Sequence, residues 1–348
     1  MAQMQIAQNP TDQNMTVLQI LDRAFRIYRE NFLQFVGLTA IVTVPLTLIT
    51  LLLDQSYLGQ LQNFDFTASQ TSSFTTGYSN AILLPALISI VLTILQAVFV
   101  SGTITYTTSE NHLGRRITVS DSLRAAQGRF ATLFGALVLF YLLVFLLAVV
   151  SGITLICLVG IAGFAFLIYF GITTSTFLVP TIMLENVGGT LGMLRAWGLG
   201  KARFWSVLGL LILISVLSFI LTFAFTLLEQ LVTGQVIASA SLQSSAVISS
   251  IINMIIGIFV APIAPIAYTL MYYDTRVRLE ALDIALQATG NPDARPWDVP
   301  SPPASARVTG KDIVNILILV GVAAIIVLGL GASMGAILNT FFPNIPIQ

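Results

Sequence analysis

The sequence predicts an all-α fold: a polytopic membrane helical bundle of three repeated units, each an interfacial amphipathic helix plus a transmembrane hairpin, followed by a seventh C-terminal span. Three observations predict it. Hydrophobic residues make up 56% of the 348 positions and charged residues only 9%, against about 25% charged in a soluble domain. Apolar runs recur at the roughly 20-residue length a helix needs to cross a bilayer core. The Lys and Arg residues gather before the first run and between alternate ones.

Residues 1–13 read as a flexible N-terminus, without the basic start and apolar core of a cleaved signal peptide. Insertion then falls to the first span. Hydropathy places seven spans near 33–53, 81–107, 131–152, 158–183, 206–229, 247–273 and 313–341. The third and fourth divide one uncharged stretch, 131–184, about twice the length a single crossing requires. A tight hairpin near Ser151 and Gly152 is expected to fold it. Residues 14–288 thus form a six-helix membrane domain, 289–312 a Pro-rich cytoplasmic linker, extended and without a core of its own, and 342–348 an external tail.

The basic residues test this threading independently. Arg23, Arg26 and Arg29 precede the first span, and Arg115, Arg116, Arg124 and Arg129 lie between the second and third. Arg195, Lys201 and Arg203 lie between the fourth and fifth, and Arg276, Arg278, Arg295, Arg307 and Lys311 between the sixth and seventh. These are all fifteen Lys and Arg residues of the chain. Loops 54–80 and 230–246, the hairpin and the tail contain none. Since cations are retained on the cytoplasmic side, the N-terminus is expected in the cytoplasm and the C-terminus outside.

The repeat shows in "LDRAFRIYRENFLQFVGL" at 21, "SDSLRAAQGRFATLFGAL" at 120 and "GMLRAWGLGKARFWSVLGL" at 192. Each has an Arg-Ala pair and then an aromatic, Phe32, Phe130 or Phe204, six to nine residues after it. In the first copy Gln19, Asp22, Arg23, Arg26, Arg29 and Glu30 recur at helical spacing. Val17, Leu18, Ile20, Leu21, Ala24, Phe25, Ile27 and Tyr28 fill the other face. Such a helix is expected in the headgroup layer, with Asp22 and Arg26 paired one turn apart.

After the sixth span "YYDTRVRLEALDI" (272–284) crowds five charged residues together, Asp274, Arg276, Arg278, Glu280 and Asp283. Asp274 with Arg278 and Arg276 with Glu280 stand one turn apart, so salt bridges are expected where the helix emerges into water and runs on to about Ala288. Arg23, Arg26, Arg124, Arg195, Lys201, Arg203, Arg276 and Arg278 are the candidates for lipid-headgroup or partner contact. Catalysis would need a metal-ligand set, a histidine base or a partnered nucleophile. The chain has one histidine, His112, and one cysteine, Cys157 in an apolar run, so no enzyme, cofactor or metal is expected.

No span carries Asp, Glu, Lys, Arg or His near its middle, where a charge costs about 2.5–3.5 kcal/mol. Gln96 and Asn253 are the amides deep in spans and the possible polar residues of a cavity, unless each bonds a neighbouring helix. Pro45, Pro85, Pro180, Pro262 and Pro265 can kink spans, and "VAPIAPIAY" could unwind to line a path. Gly331 and Gly335 in the seventh helix suit close helix approach, within the chain or in a homodimer. Membrane lipids are the expected partner, a membrane protein or second copy the alternative; nucleic acid is not expected. These features predict a scaffold or lipid-organising protein, with a transporter or flippase for an apolar substrate as the alternative.

Three stretches carry a resemblance. Tyr273-Asp274-x-Arg276-x-Arg278-x-Glu280-x-x-Asp283 closes a span, and Arg195-x-Trp197-x-Leu199-x-Lys201-x-Arg203-Phe204-Trp205 opens another. Ile20-Leu21-Asp22-x-Ala24 through Tyr28-x-x-Asn31-Phe32 lies near the start. Over about residues 15–288 the chain resembles the bacterial membrane domain attached to glycerophosphoryl diester phosphodiesterases and its free-standing relatives. The resemblance implies a six-helix domain in a bacterial cytoplasmic membrane. It does not imply the phosphodiesterase reaction, which belongs to a separate soluble barrel. Where the family pattern often has glycine after the glutamate, this chain has Ala281.

Overall fold

The computed structural model describes residues 15–62, 84–154, 159–237, 242–302, 307–322 and 324–325. Its elements are α1 (Val17–Glu30), α2 (Phe32–Gln62), α3 (Leu84–His112), α4 (Val119–Ile153), α5 (Val159–Glu185), α6 (Gly189–Ala202), α7 (Phe204–Ile237), α8 (Leu242–Val260), α9 (Ile263–Glu280) and α10 (Leu282–Ala288). A final helix, α11, starts at residue 310 and runs to 322. Among the described residues there is no strand.

Six stretches are long and apolar enough to cross a membrane: Phe32–Leu53, Ala86–His112, Val119–Ile153, Gly160–Glu185, Phe204–Gln230 and Val247–Glu280. They coincide with the first six expected spans. Large apolar side chains such as Leu52, Leu87, Phe145, Phe219 and Ile251 stand exposed on them, an arrangement that suits lipid and not water. Helices α3, α5 and α9 touch one another pairwise and form the centre. Around them α4 packs on α3 and α5, α2 on α3 and α8, and α6 along α5. The seventh expected span is described only to residue 325, so Gly331 and Gly335 lie outside the described residues. So do residues 63–80, the N-terminal residues 1–14 and the tail.

Local chemistry explains most boundaries. The side chain of Thr16 accepts the Gln19 amide while Gln19 reaches back to the Thr16 amide, and Thr118 and Asp121 do the same at the start of α4. Such a capping box satisfies two of the four amides that open a helix without partners. Helix α1 turns Ile20, Ala24 and Ile27 inward at one-turn spacing against α9 and α7. Each isoleucine so buried is worth about 1.5–3 kcal/mol when taken from water. The apolar face of α1 therefore packs on the bundle.

Four expectations about local structure differ from what is observed. Helix α4 continues through Ser151 and Gly152 to Ile153 and α5 starts at Val159, so the chain does not turn at Ser151 and Gly152. Buried Ser151 instead receives α5 closely, a Cβ on Gly163 falling 2.4 Å from its Oγ. The second amphipathic stretch is no separate helix but the first turns of α4; of the three copies, the first breaks at Asn31 and the third at Arg203. The sixth span is two helices, α8 and α9, parted at Ala261 and Pro262. Pro262 and Pro265 remove two amides within one turn, and just ahead of the break the Tyr28 hydroxyl donates to the Phe259 carbonyl at 2.8 Å. The helix after Arg278 does not run on unbroken, because Ala281 takes a left-handed conformation (φ 49°, ψ 44°) and restarts it as α10.

Candidate functional site: a buried ion-pair assembly

The C-terminal ends of α3, α5 and α9 meet α1, α6 and residues 289–312 at one end of the bundle, and the chain's arginines converge there. At its centre Glu185, the last residue of α5, accepts from Arg195 Nε of α6 at 2.9 Å and from the Tyr272 hydroxyl of α9 at 3.1 Å. Arg195 Nη2 also reaches the Glu280 carboxylate at 2.5 Å. Arg276 closes the group, with Nε 2.7 Å from Glu280 and Nη1 3.5 Å from Glu185. Its Nη1 also donates to the Tyr272 hydroxyl at 3.1 Å. The side chains of Glu185 and Arg276 are 0% and 1% exposed. Two carboxylates against two guanidiniums leave this group neutral, as burial requires.

Two further groups flank it. Asp274, buried on α9, is bonded by Arg203 at the α6–α7 break and by Arg278 Nε at 3.1 Å. Arg278 also donates to the Met15 carbonyl at 2.7 Å and so holds the entry to α1. Buried Glu110 near the end of α3 lies 3.0 Å from Arg295 Nε and 3.4 Å from Arg115 Nη1. Arg115 in turn donates to the Ala294 carbonyl at 3.0 Å. A fourth group binds α11. The Asp312 carboxylate accepts from the Tyr169 hydroxyl at 2.6 Å and from the Thr309 amide at 2.7 Å, with Lys201 Nζ 3.6 Å away. Burial alone would raise the Asp312 carboxyl, but these donors and the Lys201 charge outweigh it and hold the group below its ordinary value.

Of the sequence-derived candidates, Arg195, Lys201, Arg203, Arg276 and Arg278 all face carboxylates of this assembly. Asp274–Arg278 and Arg276–Glu280 are paired as their spacing suggests, but Asp274 and Arg276 are buried in protein and do not emerge into water. Asp22 and Arg26 pair at 3.2 Å with both side chains exposed. Arg124 is exposed on α4, and Arg23 is half-buried on α1. Gln96 donates to Thr43 Oγ1 of α2 at 3.3 Å. Asn253 is exposed and donates to the Ser249 carbonyl of its own helix at 2.8 Å, not to a neighbouring helix. The linker is not merely a tether either, since Ala294 and Pro296 are buried against the bundle end.

Sequence reasoning missed Glu110, Glu185, Tyr169, Tyr272 and Asp312, and with them a polar interior. Thr105 and Thr108 of α3, Thr174 and Thr181 of α5, and Thr275 of α9 carry buried hydroxyls with no hydrogen-bond partner among the described residues. The threonine-rich stretches "TITYTTSEN" (103–111) and "TTSTFLVPT" (173–181) were the available signal. Among the described residues no three His, Cys, Asp or Glu side chains group as metal ligands.

The fold defines a multi-pass α-helical membrane protein with one polar, ion-paired end. Comparison with protein-family models, curated proteins and solved structures returns no match.

Proposed function

We propose that this is a non-catalytic membrane scaffold or lipid-organising protein of a bacterial cytoplasmic membrane, with the ion-paired end and N-terminus in the cytoplasm. The C-terminus lies outside after a seventh span. The observation that supports this reading is the closed assembly Glu185–Arg195–Glu280–Arg276. Its charges are spent on tying α5, α6 and α9 together, which makes that end a rigid platform. Exposed Arg26, Arg29, Arg116 and Arg124 rim it and would attract anionic headgroups at about 1 kcal/mol each. The resemblance to the phosphodiesterase-associated membrane domain is part of the same proposal. The left-handed Ala281, at the position where that family often has glycine, supports it.

A threefold repeat belongs to the reading too. Helices α1 and α6 are both 14 residues long and end in nearly the same backbone conformation, φ −120°, ψ 30° at Asn31 and φ −129°, ψ 33° at Arg203. The first and second copies share the capping box. Single cysteines at positions 124 and 116 test the sidedness: an impermeant thiol reagent should label them only from the cytoplasmic side. Labelling from outside would overturn the orientation. For the role itself, native mass spectrometry of the protein released from its own membrane should show retained anionic phospholipid or a co-purifying protein.

A transporter or flippase for a lipid or other apolar substrate is the second reading, favoured by the break at Ala261 and Pro262 within the sixth span. Broken spans in transporters expose backbone to a path. Reconstituted vesicles carrying a fluorescent lipid discriminate the two: accelerated transbilayer exchange supports transport, and background exchange supports the scaffold.

A further inference from the structure

Helices α7 and α11 begin beside one another, and a cavity of about 560 Å³ opens between their first turns. Its lining includes Lys201, Arg203, Trp205, Ser206, Lys311 and Asn315, and no carboxylate side chain is among its lining residues. Helix α7 brings the amide-rich end of its dipole to it, equivalent to about half a positive charge, whereas the start of α11 is capped by Asp312, which accepts the Thr309 amide. In α7 the bond from the Val207 amide to the Arg203 carbonyl, at 3.0 Å, is the first of the helical ladder. The amides of Phe204, Trp205 and Ser206 stand ahead of it, on residues that line the cavity.

The charge ledger is positive. Asp312 is buried toward Tyr169, and Asp274 is shared between Arg203 and Arg278. Three lining cations, Lys201, Arg203 and Lys311, thus stand against two carboxylates behind the lining, one of them shared with Arg278. One wall is apolar and open: Trp205 is 53% exposed and Val314 54%. A basic floor at two helix starts beside an apolar wall suits a phosphate group, the anion that helix N-termini bind with backbone amides.

We propose that this cavity binds a phosphate group, either that of an anionic phospholipid whose chains lie against Trp205 and Val314 or free inorganic phosphate. It rests on the reading of this end as a lipid-contacting platform and gives that platform a defined site. The experiment uses the full-length protein in phosphatidylcholine nanodiscs, with one arm titrating short-chain phosphatidylglycerol by native mass spectrometry and the other inorganic phosphate by calorimetry. Lys311→Glu reverses an exposed charge on the lining. Arg116→Glu with Arg124→Glu reverses two exposed charges elsewhere on the same end.

The wild-type protein should retain phosphatidylglycerol, and Lys311→Glu should weaken it about fivefold while the double variant stays within about twofold. Phosphate binding lost with Lys311→Glu would assign the site to free phosphate; lipid binding alone would assign it to the headgroup. Equal binding by Lys311→Glu and wild type in both arms overturns the inference. If the double variant loses lipid and Lys311→Glu does not, the platform stands and the cavity falls. If no lipid preference exists but phosphate binds through Lys311, the cavity stands and the platform falls.

Discussion

Replacing Glu185 with Gln should be among the most damaging single changes in this protein. Its carboxylate is fully buried and receives Arg195 at 2.9 Å, Tyr272 at 3.1 Å and Arg276 at 3.5 Å. The amide keeps the shape but removes one of two negative charges. Arg195 and Arg276, buried beside it, then share Glu280 alone. Breaking a buried pair in this way costs about 3–5 kcal/mol, mostly as the penalty of an uncompensated interior charge. The exposed pair Asp22–Arg26, by contrast, is worth about 0–1 kcal/mol, so Asp22→Asn is the control. Unfolding free energy measured in mixed micelles should fall by about 3–5 kcal/mol for Glu185→Gln and stay within about 1 for Asp22→Asn. The double variant Glu185→Gln, Arg195→Met restores charge balance and should recover part of the loss. Equal stability of Glu185→Gln and Asp22→Asn would refute the claim that this assembly holds the helices together.

Three further outcomes follow from particular contacts. Gly200→Ala should destabilise by about 1–3 kcal/mol, because a Cβ there would fall 2.0 Å from the Thr173 carbonyl oxygen where α6 crosses α5, whereas a Cβ at Gly257 meets nothing within 4 Å. Thermal melts of both alanine variants check this, with Gly257→Ala expected to melt at or above wild type. Ala281→Gly should raise stability by about 0.5–1 kcal/mol, since glycine adopts the left-handed conformation (φ 49°) without the Cβ strain alanine bears; the same micelle titration reads it. Asp312 is held below its ordinary value when folded, so its contribution is fully present above about pH 4 and is lost as pH falls through the lower folded value. The protection of residues 310–322 against hydrogen exchange, taken relative to the intrinsic rate at each pH, should therefore fall below about pH 4 in wild type, and Asp312→Asn should remove that dependence.

Membrane character, the first six spans and the gathering of cations between alternate spans are legible in the sequence because each is a property of contiguous residues. Apolar length is summed along the chain, and one-turn pairs such as Asp274–Arg278 and Arg276–Glu280 need only helical periodicity. The break at Ala261–Pro262 was signalled by two prolines in four residues. The missing break in α4 was not, because Arg129, which precedes Phe130 as Asn31 precedes Phe32 and Arg203 precedes Phe204, is the same residue type as Arg203 and neither forbids nor requires continuation.

The partners of the buried charges are another matter. Glu185 and Arg276 stand 91 positions apart, Arg203 and Asp274 71, and Glu110 and Arg295 185. A lone glutamate at the end of an apolar run looks, in sequence, like a group leaving the membrane for water. Tertiary structure alone decides that it faces inward, because α6 folds back along α5 and delivers Arg195 to it. The sequence by itself determined which segments can lie in lipid, since transfer free energy adds residue by residue. Only the packing of α3, α5 and α9 decided which charges neutralise one another, since Coulomb energy depends on distances that no stretch of chain contains.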